Sequence, residues 1–163
     1  MKLEIQHLAP YLPYKLGFVL ESETNSKEPN IQELKTIDPS LKMVNCWMDG
    51  KHLTEIKPLL YPFSSLSTRI NINGKNINPL KELNALVYQF EDVEPMILLI
   101  RGFNGVTFEW YVGADSSQRQ GVPFVFYQKL FEWHFDVFDL IKKGLAIDIS
   151  KTFSQKTQQH EFT

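Results

Sequence analysis

Phe131-Glu132-Trp133-His134-Phe135-Asp136-Val137-Phe138-Asp139-Leu140-Ile141-Lys142-Lys143-Gly144-Leu145-Ala146-Ile147-Asp148-Ile149 carries more structural information than any other run in this chain. Together with the residue before it, it places Leu130, His134, Val137, Phe138 and Ile141 on one stripe at helical spacing. Pro123 marks a start, and Gly144 stands where a helix needs φ > 0 at C′. Lys142 and Lys143 fall in the last turn, where the helix dipole favours cations. The pattern predicts one long helix from Phe124 to Lys143, then a short strand-like exit through Ile149. It says much about packing and little about chemistry, because the run lacks the spacing of a nucleophile motif, a phosphate loop or a metal site.

Working back from that helix, Gly113 to Gly121 is a polar loop. Before it, the apolar run Met96 to Ile100 and the β-branched and aromatic run Val106 to Val112 flank Gly102-Phe103-Asn104-Gly105, which predicts a central hairpin. Asn73-Gly74 between Ile70-Asn71-Ile72 and Asn76-Ile77 predicts a second one, since both central residues of a two-residue turn favour positive φ. Asn78 caps a helix that begins at Pro79 and continues through Leu80, Leu83, Leu86 and Val87. From Leu53 to Ile70 the apolar residues recur every three or four positions, but Pro58 and Pro62 interrupt them, so two short helical turns are expected. Strands are expected over Lys15 to Glu21, Ile31 to Ile37 and Leu41 to Met48, with Ser22 to Pro29 as a solvated loop, Asp38-Pro39-Ser40 as a turn and Asp49-Gly50 closing the meander. A brief helix over Leu3 to Leu8 and a rigid aromatic turn at Ala9-Pro10-Tyr11-Leu12-Pro13-Tyr14 open the chain. The sum is an α+β fold: one domain over 1–150, a mostly antiparallel sheet, the long C-terminal helix packed on one face, and a polar, partly disordered tail over 151–163.

At 163 residues the chain fits a single domain, and a domain of that size buries roughly 68–70% of its unfolded surface, enough for a core without staples. Phe is abundant, twelve residues against six Tyr and three Trp, and that surplus needs a core or a partner surface to cover it. A net charge of −2 supplies no long-range positive field, which disfavours binding driven by phosphate neutralisation. Cys46 stands alone and has no internal partner for a disulfide, which points to a reducing compartment. The start of the chain lacks an apolar h-region and no window has the length of a membrane span, so the expected setting is the cytoplasm, without export or membrane insertion.

Each candidate for chemistry has a plainer alternative. His134 would need a carboxylate at i+3 or i+4 to act as an oriented base or ligand, whereas Glu132 and Asp136 are each two positions away, so a packed core-edge histidine is preferred. Glu132, Asp136 and Asp139 share a helix face and would suit a divalent cation, but they read better as its wet side, with Asp139 pairing to Lys143. Asp115-Ser116-Ser117-Gln118-Arg119 has groups for a phosphate or carboxylate without the glycine spacing that exposes several backbone amides together. Ser64, Ser65 or Ser67 with His52 or His7 would make a hydrolytic triad only by spatial accident, since no nucleophile elbow is present, and Cys46 before Trp47 suits a buried thiol. No catalytic residue, cofactor site or metal site is assigned. The binding candidates are Phe103, Phe108 and Trp110, flanked by Arg101 and Arg119, as an aromatic platform.

Three segments resemble a group of small uncharacterised proteins of phages and prophages: Leu8-Ala9-Pro10-Tyr11-Leu12-Pro13-Tyr14; Ile56-Lys57-Pro58-Leu59-Leu60-Tyr61-Pro62-Phe63-Ser64-Ser65-Leu66 with Ile72-Asn73-Gly74; and Lys129 to Phe138 continuing through Gly144-Leu145-Ala146-Ile147-Asp148-Ile149. They cover about a third of the chain. At Tyr61 this sequence departs from an arginine associated with the group, and at Asp139 from a glycine. The resemblance implies a setting, expression in a bacterial cell from a mobile element, and no mechanism. The expected function is a non-enzymatic module that binds a host or phage protein, for example by modulating a defence protein such as a CRISPR-type effector. The alternative is a nucleic-acid-handling factor that binds single strands through the aromatic hairpin.

Overall fold

The computed structural model describes residues 2–26, 29–46, 49–72, 74–88, 95–102, 105–112, 119–120 and 124–154. In chain order the elements are α1 (Ile5–Leu8), β1 (Gly17–Leu20), β2 (Gln32–Glu33), β3 (Thr36–Asp38), β4 (Met43–Cys46), β5 (Asp49–His52), β6 (Ile56–Leu60), β7 (Ile70–Ile72), β8 (Lys75–Ile77), α2 (Pro79–Tyr88), β9 (Pro95–Gly102), β10 (Gly105–Val112), β11 (Arg119–Gln120), α3 (Phe124–Glu132), β12 (Ile147–Asp148) and α4 (Ile149–Ser154). Short helices alternate with sheets whose ladders are antiparallel except for β12 on β6, an α+β arrangement. The chain divides into two compact units, Met1–Pro62 with Phe131–Thr163, and Phe63–Leu130. Of the tail expected to be partly disordered over 151–163, residues 151–154 belong instead to the helix α4, and 155–163 lie outside the described residues.

The first unit centres on a four-stranded sheet in the order β12-β6-β1-β2. Phe18, Val19, Ile56, Leu59 and Leu60 are buried on its two inner strands. Phe18, Ile56 and Leu60 join a core with Leu8, Tyr11, Leu16, Leu34, Leu53 and Leu140, against which Phe131 and Phe138 pack. A second sheet, β3-β4-β5, turns at Asp38, whose carboxylate accepts bonds from the Ser40 and Leu41 amides and the Ser40 hydroxyl. Those bonds hold the Asp38 carboxyl below its ordinary range.

Four expectations are corrected here. The helix predicted to reach Lys143 ends at Glu132. His134 takes φ 57°, its amide donates to Phe131 O at 3.0 Å, and the chain leaves the helix. The freed backbone then pairs in parallel with Tyr61, as Tyr61 N donates to His134 O at 2.8 Å and Asp136 N to Tyr61 O at 2.9 Å. Tertiary pairing therefore overrides helical periodicity in the very segment that shows it best. Gly144 keeps its positive φ of 69°, but it closes a series of turns. Second, two 3-10 turns do form in the span 53–70, at Leu53–Glu55 and Phe63–Ser67, but residues 56–60 between them form the strand β6, where Pro58 lies opposite Phe18 in the ladder with β1. Third, the strand expected over 31–37 is split into β2 and β3, which belong to different sheets. Fourth, Asp49-Gly50 begins β5, opposite Cys46 and Asn45, and so extends the meander.

In the second unit both predicted hairpins form. β7 and β8 pair Ile72 with Lys75 across Asn73-Gly74, and the Gly74 φ of 81° is the conformation that glycine adopts without steric cost. Asn71 Oδ1 accepts the Gly74 amide at 3.0 Å, and Ile70 and Ile77, directly opposite each other, are both buried. Asn78 Oδ1 accepts the Lys81 amide at 3.2 Å, which caps α2 as its sequence predicts and sets Leu83 in the interior. β9 and β10 make an eight-pair ladder from Gly102↔Gly105 to Pro95↔Val112, and β11 extends it on the β10 side.

Candidate functional site

In the first unit the 3-10 turn Ala9–Tyr14, Tyr61 at the end of β6 and the segment after α3 meet around several titratable side chains. Lying between two prolines, Tyr11 is held in that turn and is fully buried. Its hydroxyl donates to Phe135 O at 2.6 Å and accepts from Val137 N at 3.3 Å. The ring meets Phe131 edge-on at 5.0 Å and Phe138 at 6.4 Å. Burial pushes the phenol's pKa far up, so it stays protonated and remains a donor.

Asp136 is buried and its two carboxylate oxygens accept the Leu140 and Ile141 amides at 2.7 and 2.8 Å. Desolvation still outweighs those bonds and raises its pKa above the ordinary value. His134 Nε2 donates to Tyr14 O at 2.7 Å, and burial lowers its pKa, so the ring is neutral near pH 7. His7, in α1, is buried beside the Phe138 ring and accepts the Glu4 amide on Nδ1 at 3.0 Å. The hydrogen bonds of these four side chains described above run to main-chain atoms. Those of Tyr11 and His134 fasten the turn Ala9–Tyr14 to residues 134–137, while those of His7 and Asp136 close within their own segments.

The same node takes in pieces of all three segments that carry the resemblance. Tyr11 and Tyr14 come from the first, Tyr61 from the second, and His134 to Val137 from the third. The sequence reading gives Ala9–Tyr14 as a rigid turn and Tyr61 only as a departure from the resembled group, with no structural role for Tyr11 or Tyr61. The available signal was an aromatic residue fixed between prolines.

The acidic helix face is dissolved by the helix ending early. Glu132 closes α3, Asp136 faces inward to backbone amides, and Asp139 sits at φ 59° with Lys142 Nζ 4.0 Å away. Lys143, expected to pair with Asp139 through its side chain, instead donates from Nζ to Phe138 O at 2.6 Å. His134 is a packed core-edge histidine, as preferred from its spacing. His52 Nδ1 lies 2.9 Å from Thr54 Oγ1 at the start of a 3-10 turn, while Ser65 is buried and Ser64 and Ser67 are exposed in the turn Phe63–Ser67. Among the described residues no group of three or more His, Cys, Asp or Glu is placed to hold a metal ion. No helix among them is long and apolar enough to cross a membrane. Residues 115–118 and Phe103 lie outside the described residues.

The other binding candidates occupy one three-stranded sheet, in the order β11-β10-β9. Phe108 stands opposite Leu99, Trp110 opposite Ile97 and Gln120, and Arg101 opposite Val106. By the two-residue alternation of strands these positions belong to one side of the sheet. Arg119 stands opposite Tyr111, an odd-numbered position of β10, and so belongs to the other side. The register brings Arg101, Phe108 and Trp110 together and separates Arg119 from them. No protein-family model, curated protein or solved structure matches the chain.

Proposed function

We propose that this chain is a non-enzymatic protein-interaction module of a mobile element, docking through the side of the β9-β10-β11 sheet that bears positions 97, 99, 101, 108 and 110. One observation carries the reading: the register sets Phe108 and Trp110 across from Leu99 and Ile97, with Arg101 at the hairpin end. Aromatic and Arg positions on an apolar ground are the composition favoured at protein docking surfaces. The two arginines on opposite sides of the sheet favour a protein over a nucleic-acid strand, which needs cations aligned along one groove. The setting in a mobile element rests on the segmental resemblance alone.

The test compares the immobilised full-length chain with its F108S/W110S variant in a bacterial lysate, after a thermal melt has shown both folded. The proposal expects a protein retained in stoichiometric amount by the parent and lost by the variant. Absence of such a protein, or equal retention by both forms, contradicts it. A labelled oligonucleotide that binds at low salt and dissociates as salt rises would favour the nucleic-acid reading instead.

A further inference from the structure

We propose that His7 is the catch of an acid-released clamp: a proton on its Nδ1 breaks the bond from the Glu4 amide and frees α1 from the Phe138 ring, while Tyr11 and His134 keep the 3-10 turn Ala9–Tyr14 in place. The argument begins with geometry. His7 is buried, and Nδ1 accepts the Glu4 amide at 3.0 Å, so the neutral ring carries its proton on Nε2. A second proton converts that acceptor into a donor facing a donor. The bond is lost, and a charged ring is left beside Phe138, whose centroid is 5.4 Å away.

The charged groups acting on the ring are Glu4 from its own segment, which favours the cation, and Lys143 from the turns after Asp136, which opposes it. Tyr11, which shares the Phe138 ring, is a neutral phenol. Burial is the largest influence on His7 and lowers its pKa below 6.5, in the same direction as the geometry. Nearby, His134 bonds Tyr14 O through Nε2, which can keep that bond when the ring is protonated, so the catch is His7. Detachment would uncover the Phe138 ring, which His7 covers. That exposure distinguishes release of the clamp from a general loosening.

Amide hydrogen exchange on the full chain, corrected for intrinsic rates, tests this between about pH 7.5 and about pH 5.5. One proton taken up on opening makes the opening constant of the α1 amides at 7 and 9 rise by up to about tenfold per pH unit, while the β1–β6 ladder opens less. In His7→Asn, Oδ1 takes the place of Nδ1 as acceptor without titrating, and the rise should vanish. If that variant fails to fold, the ring-proton shifts of His7 in the parent protein decide: titration well below 6.5, coincident with the exchange change, supports the clamp. Titration at or above 6.5, exchange that does not change with pH, or an undiminished rise in His7→Asn overturns it.

Discussion

The polar node of the first unit and the aromatic sheet of the second use similar residues for opposite ends. In the node, Tyr11, His134 and Asp136 turn inward and bond main-chain groups, 126 residues apart for Tyr11 and Val137 and 120 for His134 and Tyr14, while Asp136 closes on the amides of Leu140 and Ile141. In the sheet, Phe108 and Trp110 occupy positions of a regular ladder whose bonds are already satisfied by backbone. Side chains that complete backbone bonding are costly to alter, because their loss strands buried donors and acceptors. Residues on a self-sufficient ladder can change with less damage to the fold, and that freedom suits a docking surface. If the proposed function holds, recognition falls to a different unit from the one that the node stabilises.

Phe135→Ala should be the most disruptive test of this contrast. The ring is fully buried and 5.9 Å from Tyr61, so its loss should cost about 3–5 kcal/mol in a urea titration. A cost under about 1 kcal/mol would mean that the node is not the anchor of the first unit. Tyr11→Phe keeps the ring and removes both bonds to 135 and 137. It should cost about 1–3 kcal/mol, and a smaller effect would show that water or backbone movement replaces the hydroxyl.

Acid acts on the node with two signs. His7 and His134 have folded pKa values below 6.5, so their share of stability is complete above that pH and declines as pH falls through 6.5 toward the folded values. Asp136, raised above 3.8, takes its proton in the folded chain before the unfolded one and offsets part of that decline in more acid solution. Denaturant midpoints should therefore fall on mild acidification and then level. A midpoint that rises as pH drops below 6.5 would contradict the histidine assignments. The smallest effect is expected of Asp139→Gly. It relieves a left-handed φ of 59° at the cost of a freer unfolded chain and of a 4.0 Å contact with Lys142 that is exposed and weak. Stability should stay within about 1 kcal/mol, whereas Asp139→Val should lose more than that.

Legibility in the sequence followed how local the cause was. Asn73-Gly74, Asn78-Pro79 and the Asp38 turn were readable because their bonds close within a few residues. Positive φ at Gly144 was readable for the same reason, although the helix it was to cap was not there. The end of α3 at Glu132 was hidden because its cause, pairing with Tyr61, lies more than 70 residues away. β6 escaped because Ile56, Pro58, Leu59 and Leu60 are all buried, which erases the alternation that marks a half-exposed strand. Of the candidate site, the grouping of Phe108 and Trp110 followed from their spacing, but the separation of the two arginines needed the β10–β11 register. The Tyr11 node was invisible because its partners are backbone atoms, which leave no mark in a side-chain pattern.

The division of labour is tested most directly by measuring melting temperature and partner retention side by side in Tyr11→Phe and in the F108S/W110S variant. The account predicts that the first melts earlier yet keeps the partner in the cold, while the second melts close to the parent and loses it. Loss of the partner by folded Tyr11→Phe, or collapse of the fold in F108S/W110S, would contradict it.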